Sequence, residues 1–349
     1  MPVQSLSLRQ ARLIAFWLFA VVVMVFVMVM IGGLTRLTHS GLSMVNWEPF
    51  TGWVPPLNEA DWQALFNDYR RFPEYEKINR GMTLDGFKEI FWFEFIHRVW
   101  GRIIGLVFLL PMVAFALKGW LRGRLFWKVV GLFVLGALQG VMGWYMVKSG
   151  LVDRPDVSQY RLTAHFGLAL VIIGYALWLA HDLLATAQDE TLLETTPPGL
   201  YRAAVALTVL VFVTALSGGL VAGLDAGFAF NTFPDMDGAF IPDGFLGATP
   251  AYMSMFEDIP TVQFTHRLLA EATLALTLLF WWRARRAGLP APARGPVNGL
   301  AVAALVQVGL GISTLILVVP VPLASLHQGG AVVLFSLSLW AALALGRGN

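Results

Sequence analysis

Eight stretches of this chain are apolar for about 20 residues or more, and that pattern limits the possible folds more than any other feature. They run over 13–33, 91–117, 127–147, 162–181, 203–223, 262–282, 297–319 and 324–345. As helices rising 1.5 Å per residue, each is long enough to cross a hydrocarbon layer about 30 Å thick. Only 13% of the residues are charged while 57% are hydrophobic, which leaves too little polar surface to dissolve a chain of this size. An all-α membrane protein with eight transmembrane helices is expected. The net charge of +2 gives no reason to expect a nucleic-acid partner.

Loop charge sets the expected orientation. Arg9 and Arg12 precede the first span; Lys118, Arg122, Arg124 and Lys128 follow the second; Arg283, Arg285, Arg286 and Arg294 follow the sixth; Arg347 closes the chain. These are cytoplasmic by the positive-inside rule. The segment 224–261 carries Asp225, Asp235, Asp237, Asp243, Glu257 and Asp258 without a Lys or Arg, and reads as external, with 34–90, 148–161 and 320–323 on the same side. Both termini are then cytoplasmic. The acidic 182–202 connection, with Arg202 as its one basic residue, fits least well. No small-residue cleavage site follows the first apolar run, which is expected to be retained as a helix.

The second half repeats the first. Gly32-Gly33-Leu34 matches Gly218-Gly219-Leu220, and Glu94-Phe95-Ile96-His97-Arg98 matches Gln263-Phe264-Thr265-His266-Arg267. Gln139 to Gly143 matches Gln307 to Gly311, and Thr163-Ala164-His165-Phe166-Gly167 matches Ser325-Leu326-His327-Gln328-Gly329. Matches in one order imply two pseudo-symmetric four-helix bundles, residues 1–190 and 191–349, as parallel repeats.

Four of the six histidines, His97, His165, His266 and His327, occupy matched positions near the outer ends of their helices. A lone helix-end histidine is ordinarily an interface residue. Four in duplicate register, inside membrane spans, point to function. Two facing imidazoles in a bundle can hold a haem iron axially, so the pattern predicts two such sites. The absence of cysteine excludes disulfides, Fe–S clusters and thiolate-bound haem, and two-His sites lack the further ligands zinc or copper prefers. His39 and His181 have no repeat partner and are read as structural.

The repeat breaks at Glu94, whose counterpart is the neutral Gln263. A carboxylate beside a ligand can act as base or stabilise positive charge, so the first half reads as reactive and the second as an electron-transfer site. The competing reading makes Glu94 an ion-pair partner of Arg98. Arg36, Arg98, Arg161 and Arg267 lie at the level of the histidines and are candidates for haem propionates or for interface anchors. Arg102 and Glu271 could pair between the halves, or Arg102 could meet a propionate. The first external loop, roughly 55 residues and rich in Trp and Pro, could cap a site or dock a partner.

The segments GGLTRLTHSGLSMVNWEPFTGWVPP (Gly32 to Pro56), EFIHRVWGRIIG (Glu94 to Gly105), LTAHFG, QFTHRL and LHQGG resemble the haem A synthase family, over nearly the whole chain. The likeness is to its proteobacterial and mitochondrial branch, which lacks loop cysteine pairs. The resemblance implies an oxidoreductase that converts the C8 methyl of haem O to the formyl of haem A through an alcohol. It implies a resident haem b on His266 and His327, haem O as substrate at His97 and His165, and Glu94 as catalytic carboxylate. The implied setting is a bacterial inner membrane, with lipid, haem O synthase and cytochrome oxidase assembly factors as partners and room for a homo-oligomer. Two rival readings are a di-haem b-type electron carrier and a haem-delivery or transport protein.

Overall fold

The computed structural model describes residues 6–47, 51–150, 157–186 and 198–346, and their regular secondary structure is helical apart from one isolated β-bridge between Met236 and Ala239. The expected boundary at 190/191, Pro49 and Arg347 lie outside the described residues. The long helices are α1 (Leu8–Leu37), α4 (Leu84–Leu117), α5 (Gly123–Gly150), α6 (Gln159–Thr186), α7 (Pro198–Gly223), α9 (Ile259–Arg286), α10 (Ala291–Ile316) and α11 (Val321–Leu345). Shorter ones are α2 (Glu59–Tyr69), α3 (Pro73–Lys77) and α8 (Ser254–Glu257).

Among the described residues, seven of the eight long helices are long and apolar enough to cross a membrane. The exception is α9. At 28 residues it is about 42 Å long, but it carries Gln263, Arg267 and Glu271 in its N-terminal half and three arginines in its last turn. Those arginines lie where the helix dipole favours cations.

The packing follows the repeat. In the first half α1 contacts α4 and α6, and α5 contacts α4 and α6; in the second, α7 contacts α9 and α11, and α10 contacts α9 and α11. The halves meet through α1 on α11, α6 on α7 and α6 on α11. Ile14, Leu18, Leu170, Ile173, Leu179, Leu300 and Leu345 are fully buried in one core cluster spanning both halves, and many outward Leu, Val, Phe and Trp side chains are exposed, as expected when lipid is the solvent.

The long segment between α1 and α4 holds structure that apolar periodicity did not signal. At 34 residues α4 is about 51 Å long, so it projects beyond a bilayer core. Its Phe87, Phe91 and Phe95 pack with Trp62, Phe66 and Tyr69 of α2 in a separate aromatic cluster. Asn58 caps α2 and Thr83 caps α4. Burial, with Glu74 nearby, pushes the Tyr69 phenol above its ordinary pKa; it remains a neutral hydroxyl, accepting from Asn79 Nδ2 at 2.7 Å.

Candidate functional site

Each of the four matched histidines rests on a glycine of the neighbouring helix. A Cβ at Gly32 of α1 would lie 3.1 Å from His97 Nε2, and one at Gly218 of α7 would lie 3.1 Å from His266 Cε1. A Cβ at Gly143 of α5 would lie 3.4 Å from His165 Cε1, and one at Gly311 of α10 would lie 2.8 Å from His327 Cε1. These glycines are themselves repeat mates. The repeat therefore preserves four imidazole seats as well as four imidazoles, and the seats are too close for an alanine without displacement at Gly311.

Gln139 and Gln307, also matched, hold the second histidine of each half. Gln139 Nε2 donates to His165 O at 3.0 Å and lies 3.3 Å from His165 Nε2. Gln307 Nε2 donates to His327 O at 2.9 Å and lies 3.1 Å from His327 Nδ1. Both glutamines were visible in the sequence as landmarks; what the sequence did not reveal is that they touch the rings.

Ser217 is a site residue without a repeat mate, since Ile31 stands at its counterpart. Its hydroxyl donates to Thr214 O at 2.7 Å and lies 2.8 Å from His266 Nδ1. With its proton committed to Thr214, Ser217 Oγ accepts from Nδ1–H and leaves Nε2 of His266 for ligation. The His266 and His327 ring centroids are 6.4 Å apart. Metal–imidazole bonds of about 2 Å on opposite sides of one ion give roughly this separation. His97 and His165 occupy the matching positions of the first half, and His165 Nδ1 is buried without a hydrogen-bond partner. Among the described residues no third His or carboxylate joins either pair. Two axial imidazoles over a glycine-lined seat suit a haem, and the residues present fit one.

Glu94 is 2% exposed and both of its oxygens are occupied. Oε2 accepts from Ser43 Oγ at 2.8 Å and from Met44 N at 2.7 Å, while Oε1 accepts from Arg98 Nε at 3.1 Å and Nη2 at 2.5 Å. The ion pair with Arg98 is therefore present. Gln263 is equally buried, but its Nε2 donates to the backbone carbonyls of Ala226 and Ala229, and its Oε1 accepts from Arg267 at 3.3 Å.

The arginines separate by what they already hold. Arg98 donates to Met44 O and Asn46 O, both at 2.6 Å, and lies over Trp47. Arg267 donates to Phe230, Thr232 and Asp235 carbonyls, with its Nε buried and unpartnered. Arg36 reaches the second half, pairing with Asp225 at 2.6 Å and with Ala222 O. Arg161 lies over the Tyr145 ring. Arg102 donates to Gly52 O at 3.2 Å and lies over Trp53, while Glu271 is exposed on α9. His39 sits exposed at φ +49° just past α1, and His181 is buried edge-on to Trp340, both away from the paired imidazoles.

Comparison with known proteins identifies the family. The family model described as COX15-CtaA, cytochrome oxidase assembly protein, matches residues 15–339. A "Heme A synthase" of Paramagnetospirillum magneticum is 54% identical over 338 residues, 96% of this chain and 94% of the relative. One from Nitrosospira multiformis is 50% identical, covering 94% of this chain and 92% of its own. "Heme A synthase COX15" of Bos taurus is 44% identical over 94% of this chain and 81% of that protein. With all four imidazole seats and most of the helical span inside the matched region, the chain belongs to the COX15-CtaA family of cytochrome oxidase assembly proteins.

Proposed function

We propose that this protein is a haem A synthase, oxidising the C8 methyl of haem O to a formyl group by way of an alcohol. The observation that carries the reading is the pair His266 and His327, 6.4 Å apart at the ring centroids and duplicated as His97 and His165. His266 and His327 would hold a resident haem b, which when bound supplies one-electron redox chemistry. Ser217 and Gln307 fix those two rings, and the hydroxyl at Ser217, replaced by Ile31 in the first half, suits a permanent ligand. His97 and His165 receive the substrate haem.

Glu94 is the proposed catalytic carboxylate. Four donors, two from a guanidinium, hold both of its oxygens in place. Its contribution is either a negative charge favouring cationic character at the reacting carbon or proton removal from an attacking water. Arg161, with no repeat mate of its charge (Leu323 stands there), and Arg36 are the better placed of the four arginines for the substrate propionates. Arg98 and Arg267 stand at the same level with most donors already engaged.

In this reading α9 is an eighth span, the helices form two four-helix bundles, and the protein lies in a bacterial inner membrane with both termini cytoplasmic. Haem O synthase and oxidase assembly factors are the proposed neighbours. Extraction and chromatography of the haems from purified protein tests the function: haem b with haem O, the alcohol or haem A supports it. Two permanent haems b would indicate an electron carrier, and haem O leaving unchanged would indicate a transporter. The topology is tested separately. A C-terminal reporter active only outside the cytoplasm would overturn it, and one active only inside is expected.

A further inference from the structure

Two external segments occupy the same place in the repeat. Ser40 to Trp47 lies against α4 through Glu94 and Arg98, and its Leu42, 3% exposed, lies against the end of α5, where a Cβ at Gly150 would come within 3.0 Å of it. Ala226 to Asp235 lies against α9 through Gln263 and Arg267. It reaches the end of α10 through Asn231 Nδ2 to Leu315 O at 2.9 Å, and through Gly227, whose added Cβ would lie 3.1 Å from Val319. Each segment thus crosses from the second to the third long helix of its half, over the outer end that carries a histidine pair.

The groups the two caps offer are opposite in polarity. The first presents donors to position 94, the Ser43 hydroxyl and the Met44 N–H. The second presents acceptors to position 263, the Ala226 and Ala229 carbonyls. A buried donor needs an acceptor and a buried acceptor needs a donor. A carboxylate accepts at every lone pair and donates at none, while an amide has two donors. Glu fits the first cap and Gln the second, and each exchanged side chain would leave like facing like.

We propose that Glu94 is a positioning residue in addition to any charge it presents to the substrate. It is the latch that holds Ser40 to Trp47 as a cap over the His97–His165 site, and the Glu94/Gln263 difference is set by the polarity of the cap each must hold. This rests on the haem A synthase reading only for its functional readout.

The chain has no cysteine, so single reporters are clean. Leu42→Cys and Ala226→Cys, both buried, are labelled with a membrane-impermeant maleimide from the outer face, and haem A and haem O are measured in the same membranes. Both reporters should label slowly in the parent. Glu94→Gln should raise labelling at Leu42→Cys about tenfold or more and leave Ala226→Cys protected; Gln263→Glu should do the reverse. Ser43→Ala, which leaves the carboxylate in place, should raise labelling at Leu42→Cys and lower the haem A to haem O ratio together, each by about tenfold to a hundredfold, the scale of one hydrogen bond to a charge. Haem A lost in Glu94→Gln with Leu42→Cys as protected as in the parent would overturn the latch. So would an Ala226→Cys reporter indifferent to Gln263→Glu, an arm that holds even where Leu42→Cys itself disturbs folding. Absence of haem A from parent membranes would instead overturn the function, whatever the labelling.

Discussion

His266→Ala and His327→Ala are each expected to remove the stable low-spin b-type spectrum of the purified protein. Low-spin haem b needs two strong axial ligands, and deleting one imidazole leaves the iron five-coordinate or the site empty. No nearby side chain can replace the lost ring, because among the described residues no further His, Cys, Asp or Glu is gathered with either pair. The surroundings cannot close over the gap either. Gly218 and Gly311 are shaped to imidazoles, and truncating a ring leaves a void beside a residue with no side chain to fill it. Optical spectra of the reduced protein at matched expression check this, with His39→Ala, an exposed position, as the control that keeps its spectrum. An unchanged spectrum in both variants would mean the haem is held elsewhere.

Glu94→Gln should leave that spectrum intact and still stop the reaction. Haem A in membranes is expected to fall by roughly 10²-fold or more, the usual scale for losing a positioned charged group at a reacting centre, with haem O or the alcohol accumulating. Size is conserved, so the loss traces to charge and hydrogen-bond polarity. The glutamine has one acceptor oxygen where the structure uses two, and its NH₂ must face either Arg98 or the Ser43–Met44 donors. Leaving such groups buried and unpaired costs about 1–3 kcal/mol each. Chromatography of extracted haems, alongside protein quantification, gives the result. Near-normal haem A at normal protein levels would remove Glu94 from the mechanism.

The four histidines and their pairing were legible because duplication is a strong signal: a residue type rare in membrane spans recurs in register in both halves. The glycine seats and Gln139 and Gln307 were legible in the same way, as matched letters, although their contact with the rings was not. Ser217 was invisible because it breaks the repeat with a residue common in any helix. The Glu94/Gln263 break was seen at once, and chemistry alone offered a base or a charge as its reason. Its geometric reason lies in backbone N–H and C=O groups of Met44, Ala226 and Ala229, which every residue carries and no sequence displays. The same holds for Arg267, whose partners are mostly main-chain carbonyls, and for the half of the Arg98 bonds that go to Met44 O and Asn46 O. The α2–α3 region went unseen because short amphipathic helices in a long loop lack the length that identifies a span.

Arg36 carries information about ancestry. Its hydrogen bond to Ala222 O joins two residues 186 positions apart, the same offset that superposes Gly32 on Gly218. Equivalent positions of a repeat touch only near the axis relating them, so this contact puts such an axis close to Arg36 and Ala222. Asp225, the other partner of Arg36, is by the same offset the counterpart of His39. A homodimer built from two copies of the first half would bring guanidinium against guanidinium at that point, with histidines where the carboxylate now stands. The fused chain escapes this repulsion by having Ala and Asp on one side only. The two halves have thus become complementary rather than interchangeable: the first is built to meet the second and to reject itself.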